Sequence, residues 1–323
     1  MRVYLSFDVE IWCNGWSDLD QVFPAAFERY VYGRSEQGAY ALPKTLDILN
    51  KYGLRGVFFV EPLFAARFGQ KYLAEIVGLI EAADQDVQLH LHPEWTDEIR
   101  PALIEDVSLK RQHLIHYNLA EQVALIGAGK RMIEACTGRA VRAFRAGSYA
   151  ANAQTFEALV QLEIYADSSL NEVSPVSGQG LAMPMGPWPA QTLCGVSSYP
   201  VTVFRDGFGQ LRPAQLGACS FAELSHALRD AERNGEPHFV IVSHNFEMLK
   251  PGRCARDAVV ARRFEQLCEF LSQNRQRFEV GSYSFTAPLF ESAQKPAVTA
   301  PRPQATVAAT ARRHMEQALR RLI

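Results

Sequence analysis

One feature constrains this chain above the others. A short apolar run ends in a charged or imidazole side chain, an amphipathic stretch follows, and the pair recurs along nearly the whole length. "RVYLSFDVEI" alternates hydrophobic and polar residues and ends in Asp8 and Glu10. "ALPKTLDILNKYGLRGVFFVEP" reads as a helix, a glycine stop and a buried strand, with Pro43 in the first turn and Leu46, Ile48 and Leu49 on the inner face. Helical patterns around "KYLAEIVGLIEAADQ", "LAEQVALIGAGKRMIEACTG", "NAQTFEALVQLEI" and "SFAELSHALRDAERNG" lead in turn to "VQLHLH", "AVRAFRAGSYA", "YADSS" and "HFVIVSHNF". A last amphipathic helix follows in "ARDAVVARRFEQLCEFLSQN". Strand-then-helix alternation over this length specifies the α/β class and a (β/α) barrel, whose strand ends converge on one face. The text from Val173 to Pro213 is rich in Gly, Pro and Ser, with β-like runs such as "SSYPVTVF", and reads as an elaborated hairpin or loop region.

Composition narrows the class. Of 323 residues 48% are hydrophobic, enough for a large core, and the formal net charge of -2 gives no reason to expect nucleic acid as a partner. The longest uncharged stretch, Val173 to Phe204, is broken by Pro and Gly, so no transmembrane segment is expected. "MRVYLSFDVEIW" lacks the pattern of a secretory signal, and the six cysteines form no C-x-x-C pair. The expectation is a cytoplasmic protein with reduced, mostly buried thiols, Cys136 among them on the apolar side of a helix. Residues 1–290 read as one catalytic domain. Residues 291–323 read as a Pro-, Ala- and Thr-rich flexible linker followed by "RRHMEQALRRLI", a short basic amphipathic helix or a frayed tail.

The strand ends carry the chemistry. They deliver Asp8 and Glu10, His90 and His92, Arg145, Asp167 with Ser168, and His244. Five such ends are hard to explain as core filling, because buried charges need partners. His90 and His92 stand two residues apart in "DVQLHLHPEW", so both point to one face while Leu89 and Leu91 point to the other. Charged imidazoles there would repel; neutral ones aimed at a cation would not. Glu10, His90 and a further imidazole or carboxylate make a nitrogen and oxygen donor set suited to Zn²⁺, with Co²⁺ or Ni²⁺ as alternatives. Asp8 is then a nearby carboxylate able to accept a proton, with Arg145 as the cation that keeps it ionised. His244 reads as the acid that protonates a leaving group, with Asp167 holding its ring.

With those residues in view, the chain resembles the polysaccharide deacetylase (NodB homology) domain, carbohydrate esterase family four, from about Arg2 to Phe285. "SFDVE" is similar to the family's T-F-D-D opening, "DVQLHLHPEW" to its histidine strand, "AFRAGSY" to F-R-x-P-Y, "YADSS" to the aspartate motif and "IVSH" to L-x-x-H. The resemblance implies a distorted (β/α) barrel of the polysaccharide deacetylase type, and a metal-dependent hydrolase that removes an acyl group, N-acetyl above all, from a sugar or glycan precursor. It implies Asp8 as base, Glu10 and His90 as ligands, Arg145 as the group that steadies the base, Asp167 and His244 as the supported acid, and the N–H near Ser148 as oxyanion donor. Three departures stand out. Gly147 replaces the motif's proline, and Val9 replaces its second aspartate, so the ion depends on Glu10. The family's second histidine would fall at Glu94. His92 or Glu94 completes the ligand set; His92 is favoured because imidazole is the commoner ligand and Pro93 bends the chain there.

Two rival functions remain at this level. One is an amidase of the same fold acting on a small amide or cyclic imide; the other is a non-catalytic sugar-binding relative. Trp12, Trp16 and Phe23 in the aromatic loop "IWCNGWSDLDQVFPAAFERY" are either stacking platforms for a sugar or ordinary loop packing. His113 and His116 in "KRQHLIHYN" read as part of a solvated helix face.

Overall fold

The computed structural model describes residues 1–184, 186–283 and 301–322. Its strands and helices begin with β1 (Arg2–Val9), α1 (Leu19–Phe27), the hairpin β2 (Arg34–Ser35) and β3 (Gly38–Ala39), and α2 (Leu42–Lys51). Next come β4 (Val57–Val60), α3 (Phe64–Phe68), α4 (Gln70–Ala82), β5 (Asp86–Leu91), α5 (Leu119–Thr137), β6 (Ala143–Ala146), α6 (Ala153–Gln161) and β7 (Ala166–Asp167). The region expected to be an elaborated hairpin holds two antiparallel pairs, β8 (Gln191–Leu193) with β9 (Val196–Ser198), and β10 (Val203–Arg205) with β11 (Leu211–Pro213). The chain finishes with α7 (Phe221–Arg233), β12 (His238–His244), α8 (Ala258–Gln273), β13 (Glu279–Val280) and α9 (Val307–Leu322).

The chain divides into two compact units, each discontinuous in sequence: Met1–Gly56 with Thr202–Gly281 and Ala300–Ile323, and Val57–Val201 with Ser282–Thr299. In the first unit β1 pairs in parallel with β12 from Arg2↔His238 to Asp8↔His244, and with β13 at Arg2 and Val3 alone. A strand flanked on both edges reads as an apolar run, and every residue of β1 beyond Arg2 is buried. Phe264 on α8 meets Phe7 edge-on with ring centroids 5.6 Å apart, which seats that helix on the strand. Asp257 caps α8 by accepting from the N–H groups of Val259 and Val260 at 3.1 Å.

The second unit carries the parallel run β4-β5-β6-β7-β9, with β8 antiparallel on the edge of β9. Its register sets His90 beside Arg145 and Phe144 beside Asp167. The leucines of the histidine strand face α5, as alternation required. A Cβ on Gly129 would stand 3.0 Å from Leu89 and 3.2 Å from Leu91, so the glycine of "GAGKRM" serves close packing of helix on strand rather than a phosphate loop. Gln88, buried between, accepts from the N–H groups of Arg142 and Ala143 at 2.9 and 2.7 Å and pins the start of β6.

The linker expected at 292–311 lies outside the described residues as far as 300, and its described part enters α9 at Val307. That helix is docked in the first unit. Arg313, only 2% exposed, pairs with Asp206 at 3.0 Å and with Glu223 at 3.0 Å. Thr310 donates to the same Glu223 at 3.0 Å, and Arg263 pairs with Glu316 at 2.7 Å. Arg313 is therefore matched by acids about 90 and 107 positions upstream, which no local pattern displays.

The thiols depart from expectation. Cys219 and Cys268 are buried, but Cys194 and Cys254 are exposed. Cys13 and Cys136 are half-buried, and Cys136 takes a hydrogen bond from Gln70 at 3.1 Å. Cys136 follows the helix edge rather than its inner stripe. Among the described residues no helix is long and apolar enough to cross a membrane.

Removing one member of a buried ion pair strands the others in low dielectric. Arg313→Ala should therefore destabilise the protein by about 3–5 kcal/mol, seen as a lower urea midpoint, while Arg312→Ala, on the exposed side of α9, should leave the midpoint nearly unchanged.

Candidate active site

In the first unit the parallel register of β1 and β12 brings Asp8 opposite His244. Ligand atoms of Asp8, Glu10 and His244 all lie within 4.8 Å of one another. Both carboxylates are buried, at 3% and 5% exposure. Asn245, the residue after His244, fastens the two strand ends: its N–H donates to the Asp8 carbonyl at 3.1 Å, its Oδ1 accepts from the Glu10 N–H at 3.1 Å, and its Nδ2 donates to the Tyr30 carbonyl at 2.5 Å. The indole of Trp12 donates to Glu10 Oε2 at 2.5 Å. His244 Nε2 stands 4.0 Å from Glu10 Oε1, and its Nδ1 meets Glu247 Oε1 at 3.0 Å.

Glu247 escaped the sequence reading. It follows the strand end by three residues in an ordinary-looking turn, and only the geometry shows its carboxylate behind the imidazole. The ring-holding place on His244 Nδ1, expected of Asp167, is filled by Glu247. Gln215 donates to the same Glu247 oxygen at 2.9 Å. Burial opposes the charge on His244, but the Glu247 hydrogen bond and the charges of Glu10, Glu247 and Asp8 outweigh it and push the imidazolium pKa up to about 9. That rise favours the protonated ring, the state an acid needs.

In the second unit the two histidines share a face, with ring centroids 4.9 Å apart and nearly perpendicular. Each has an acceptor on Nδ1: the Arg145 carbonyl at 2.7 Å for His90, and Glu94 Oε2 at 2.6 Å for His92. A carbonyl or carboxylate there places the proton on Nδ1 and leaves Nε2 as the basic nitrogen of the ring, the tautomer that a metal-ligating histidine adopts. Glu94, the other residue weighed as a ligand, lies behind His92 as its carboxylate support. Two imidazoles set to bind through Nε2 are donors suited to a borderline divalent cation.

Gly147 explains one departure by another. A Cβ at this position would stand 2.8 Å from Cε1 and Nδ1 of His92, so the imidazole occupies the space that a side chain at 147 would fill. Ser148, just beyond, is exposed at the turn with φ 55°, and Tyr149 follows at φ 60°. Arg145, fully buried, donates through Nε to the Ser168 carbonyl at 3.0 Å and through Nη2 to Ser168 Oγ at 2.9 Å, and its guanidinium lies 4.3 Å from the centroid of the Phe59 ring. Asp167 accepts from the Ser169 N–H at 3.0 Å and from Ser169 Oγ at 2.5 Å, and Ser169 Oγ in turn accepts from the Ala146 N–H at 2.9 Å. Asp167 therefore supports the end of β6 that carries Gly147 and Ser148. Burial raises its pKa to about 6 against those hydrogen bonds and the Arg145 charge.

Of the loop aromatics, Phe23 is core at 1% exposure, Trp16 is half-buried, and Trp12 is open at 48%. Phe23 belongs to ordinary packing. Trp12 instead joins Tyr30 and Phe246 around His244, with Phe246 stacked on the imidazole at 5.4 Å between centroids.

Comparison with known proteins adds a fold. No protein-family model matches the chain, and no curated protein does. Among solved structures, a candidate polysaccharide deacetylase from Mycobacterium smegmatis matches 89% of this chain and 94% of its own, with TM-score 0.51 and 18% identity. A family 4 carbohydrate esterase from Streptomyces lividans in complex with acetate matches at TM-score 0.43 and 14% identity, covering 89% of this chain and 97% of its own. A CE4 family pseudoenzyme from Bacillus anthracis matches at TM-score 0.40 and 15% identity over 84% of this chain and 60% of its own. The first likeness shows the fold: the chain has the α/β architecture of the polysaccharide deacetylase type, as its sequence led one to expect.

Two measurements test this geometry. Gly147→Ala should drive His92 off Glu94; ¹⁵N spectra of the imidazole would show the Nδ1-protonated tautomer lost, and an unaltered spectrum would contradict the packing. The raised His244 pKa fixes a sign for the cation-free protein. Its contribution to stability is whole below the ordinary value of 6.5 and is lost as pH rises through about 9. The urea midpoint should fall across that window, and Glu247→Gln should flatten the fall.

Proposed function

We propose that the protein is a metal-dependent hydrolase that removes an acyl group, most simply N-acetyl, from a sugar or glycan precursor. The observation that carries this reading is the group of Asp8, Glu10 and His244, in which an imidazole braced by Glu247 stands beside two buried carboxylates. The fold, and the resemblance of five ordered motifs, support the same assignment.

Glu10, His90 and His92 would hold the cation, taken here as Zn²⁺. When bound, it supplies Lewis-acid polarisation of the acyl carbonyl and makes water more acidic. Asp8 accepts the proton of the attacking water, and Arg145 is the cation assigned to steady that carboxylate. The N–H at Ser148 donates to the oxygen that gains charge as the carbonyl is attacked. His244 then protonates the departing nitrogen. Glu247 holds the ring and stabilises its charge. Asp167 acts through Ser169 and the β6 end, which keeps the Ser148 turn in place.

Acetate release from N-acetylated sugars should stop in excess chelator and return with Zn²⁺ or Co²⁺; full activity in chelator would end this reading. Asp8→Asn should abolish turnover while metal content, read by atomic emission, stays near that of the wild type. An active Asp8→Asn protein would remove Asp8 as the base.

A further inference from the structure

A cavity of about 750 Å³ opens in the first unit among Trp12, Tyr30, Phe246, Arg29, Lys250 and Arg320. The arrangement assumed for the reaction does not use it, yet it shares Trp12, Phe246 and Glu247 with the surroundings of His244. Its walls combine aromatic faces with cations. Trp12 and Phe246 stand 4.9 Å apart between centroids, and Tyr30 meets Phe246 at 5.0 Å. Glu247 is the carboxylate of the lining, and its Oε1 is already taken up by Gln215 and His244. Arg320, reaching in from α9, is neutralised by Asp257 and donates to the Gly217 carbonyl at 3.4 Å. Arg29 differs. Its guanidinium lies 5.1 Å from the Tyr30 centroid, and its Nε is buried without a hydrogen-bond partner. A buried guanidinium nitrogen left unsatisfied costs free energy unless an acceptor fills it. With Lys250, Arg29 sets two cationic side chains on the lining, which suits an anion.

We infer that this cavity binds a phosphate ester carried by the acylated sugar, with Arg29 and Lys250 on the phosphate oxygens and the Trp12, Tyr30 and Phe246 faces against the adjoining ring. Arginine suits phosphate because its planar fork donates two parallel hydrogen bonds. Sugar and base rings suit aromatic faces equally, so a sugar phosphate and a nucleoside diphosphate sugar share the chemistry. The substrate class rests on the proposed reaction; the anion site rests on the lining alone.

Calorimetry in excess chelator separates the two, because it needs no turnover. The probes are N-acetylglucosamine, its anomeric phosphate, UDP-N-acetylglucosamine and UDP. The phosphorylated sugars should bind at least about tenfold tighter than the neutral sugar, a gain that declines with salt. Arg29→Gln and Lys250→Gln should each erase most of it, and a folded state is verified by circular dichroism. Binding of UDP alone would identify the nucleoside as part of the ligand; its failure beside a tight sugar phosphate would assign the anion to the sugar, and both outcomes support the site. Equal affinity for neutral and phosphorylated sugars, or a gain that survives both substitutions, overturns the inference. Acetate release by the same preparations reports separately on the hydrolase.

Discussion

Two buried carboxylates at the end of one strand set the terms for the first unit. Asp8 and Glu10 are nearly sealed from water, and like charges so placed cannot both stay ionised unless positive charge is brought to them. The parallel pairing of β1 with β12 answers with His244, and Asn245 locks the two strand ends so that the imidazole cannot drift. Glu247 then secures the charge on that ring. Imidazole, brace and carboxylates form one hydrogen-bonded and electrostatic unit.

The second unit solves a different problem with the same device. Two imidazoles stand close together on one face, and each has an oxygen on Nδ1 that fixes its ring. The oxygens have different origins. His90 uses the backbone of the neighbouring strand, which register supplies; His92 uses Glu94, which its own turn supplies. Glu94 and Gly147 then belong together. The His92 ring held by Glu94 fills the room over residue 147, and only glycine leaves that room.

The C-terminal helix illustrates how a tail becomes structure. Its basic residues look like a solvated stripe in the sequence, yet Arg313 is buried between Asp206 and Glu223, and Arg263 reaches Glu316 from α8. Burial of charge is tolerated here because every charge is paired. The docked helix also lends Gln317 and Arg320 to the wall of the cavity beside Trp12 and Phe246. An appendage by composition is part of the lining by packing.

The sequence alone determined what local rules determine. Periodicity separated helices from strands, alternation sent His90 and His92 to one side and Leu89 and Leu91 to the other, and the polar strand ends marked where chemistry gathers. The α/β class followed from those patterns. Tertiary structure decided whatever depends on partners distant in the chain or on the volume a side chain displaces. It set Glu247 behind His244, made Asp167 a support of the Ser169 turn, fitted Gly147 under His92, and buried Arg313. A strand's faces repeat every second residue and can be read in isolation. Which oxygen meets a given nitrogen depends on how strands and turns pack, and no window of the sequence contains that information.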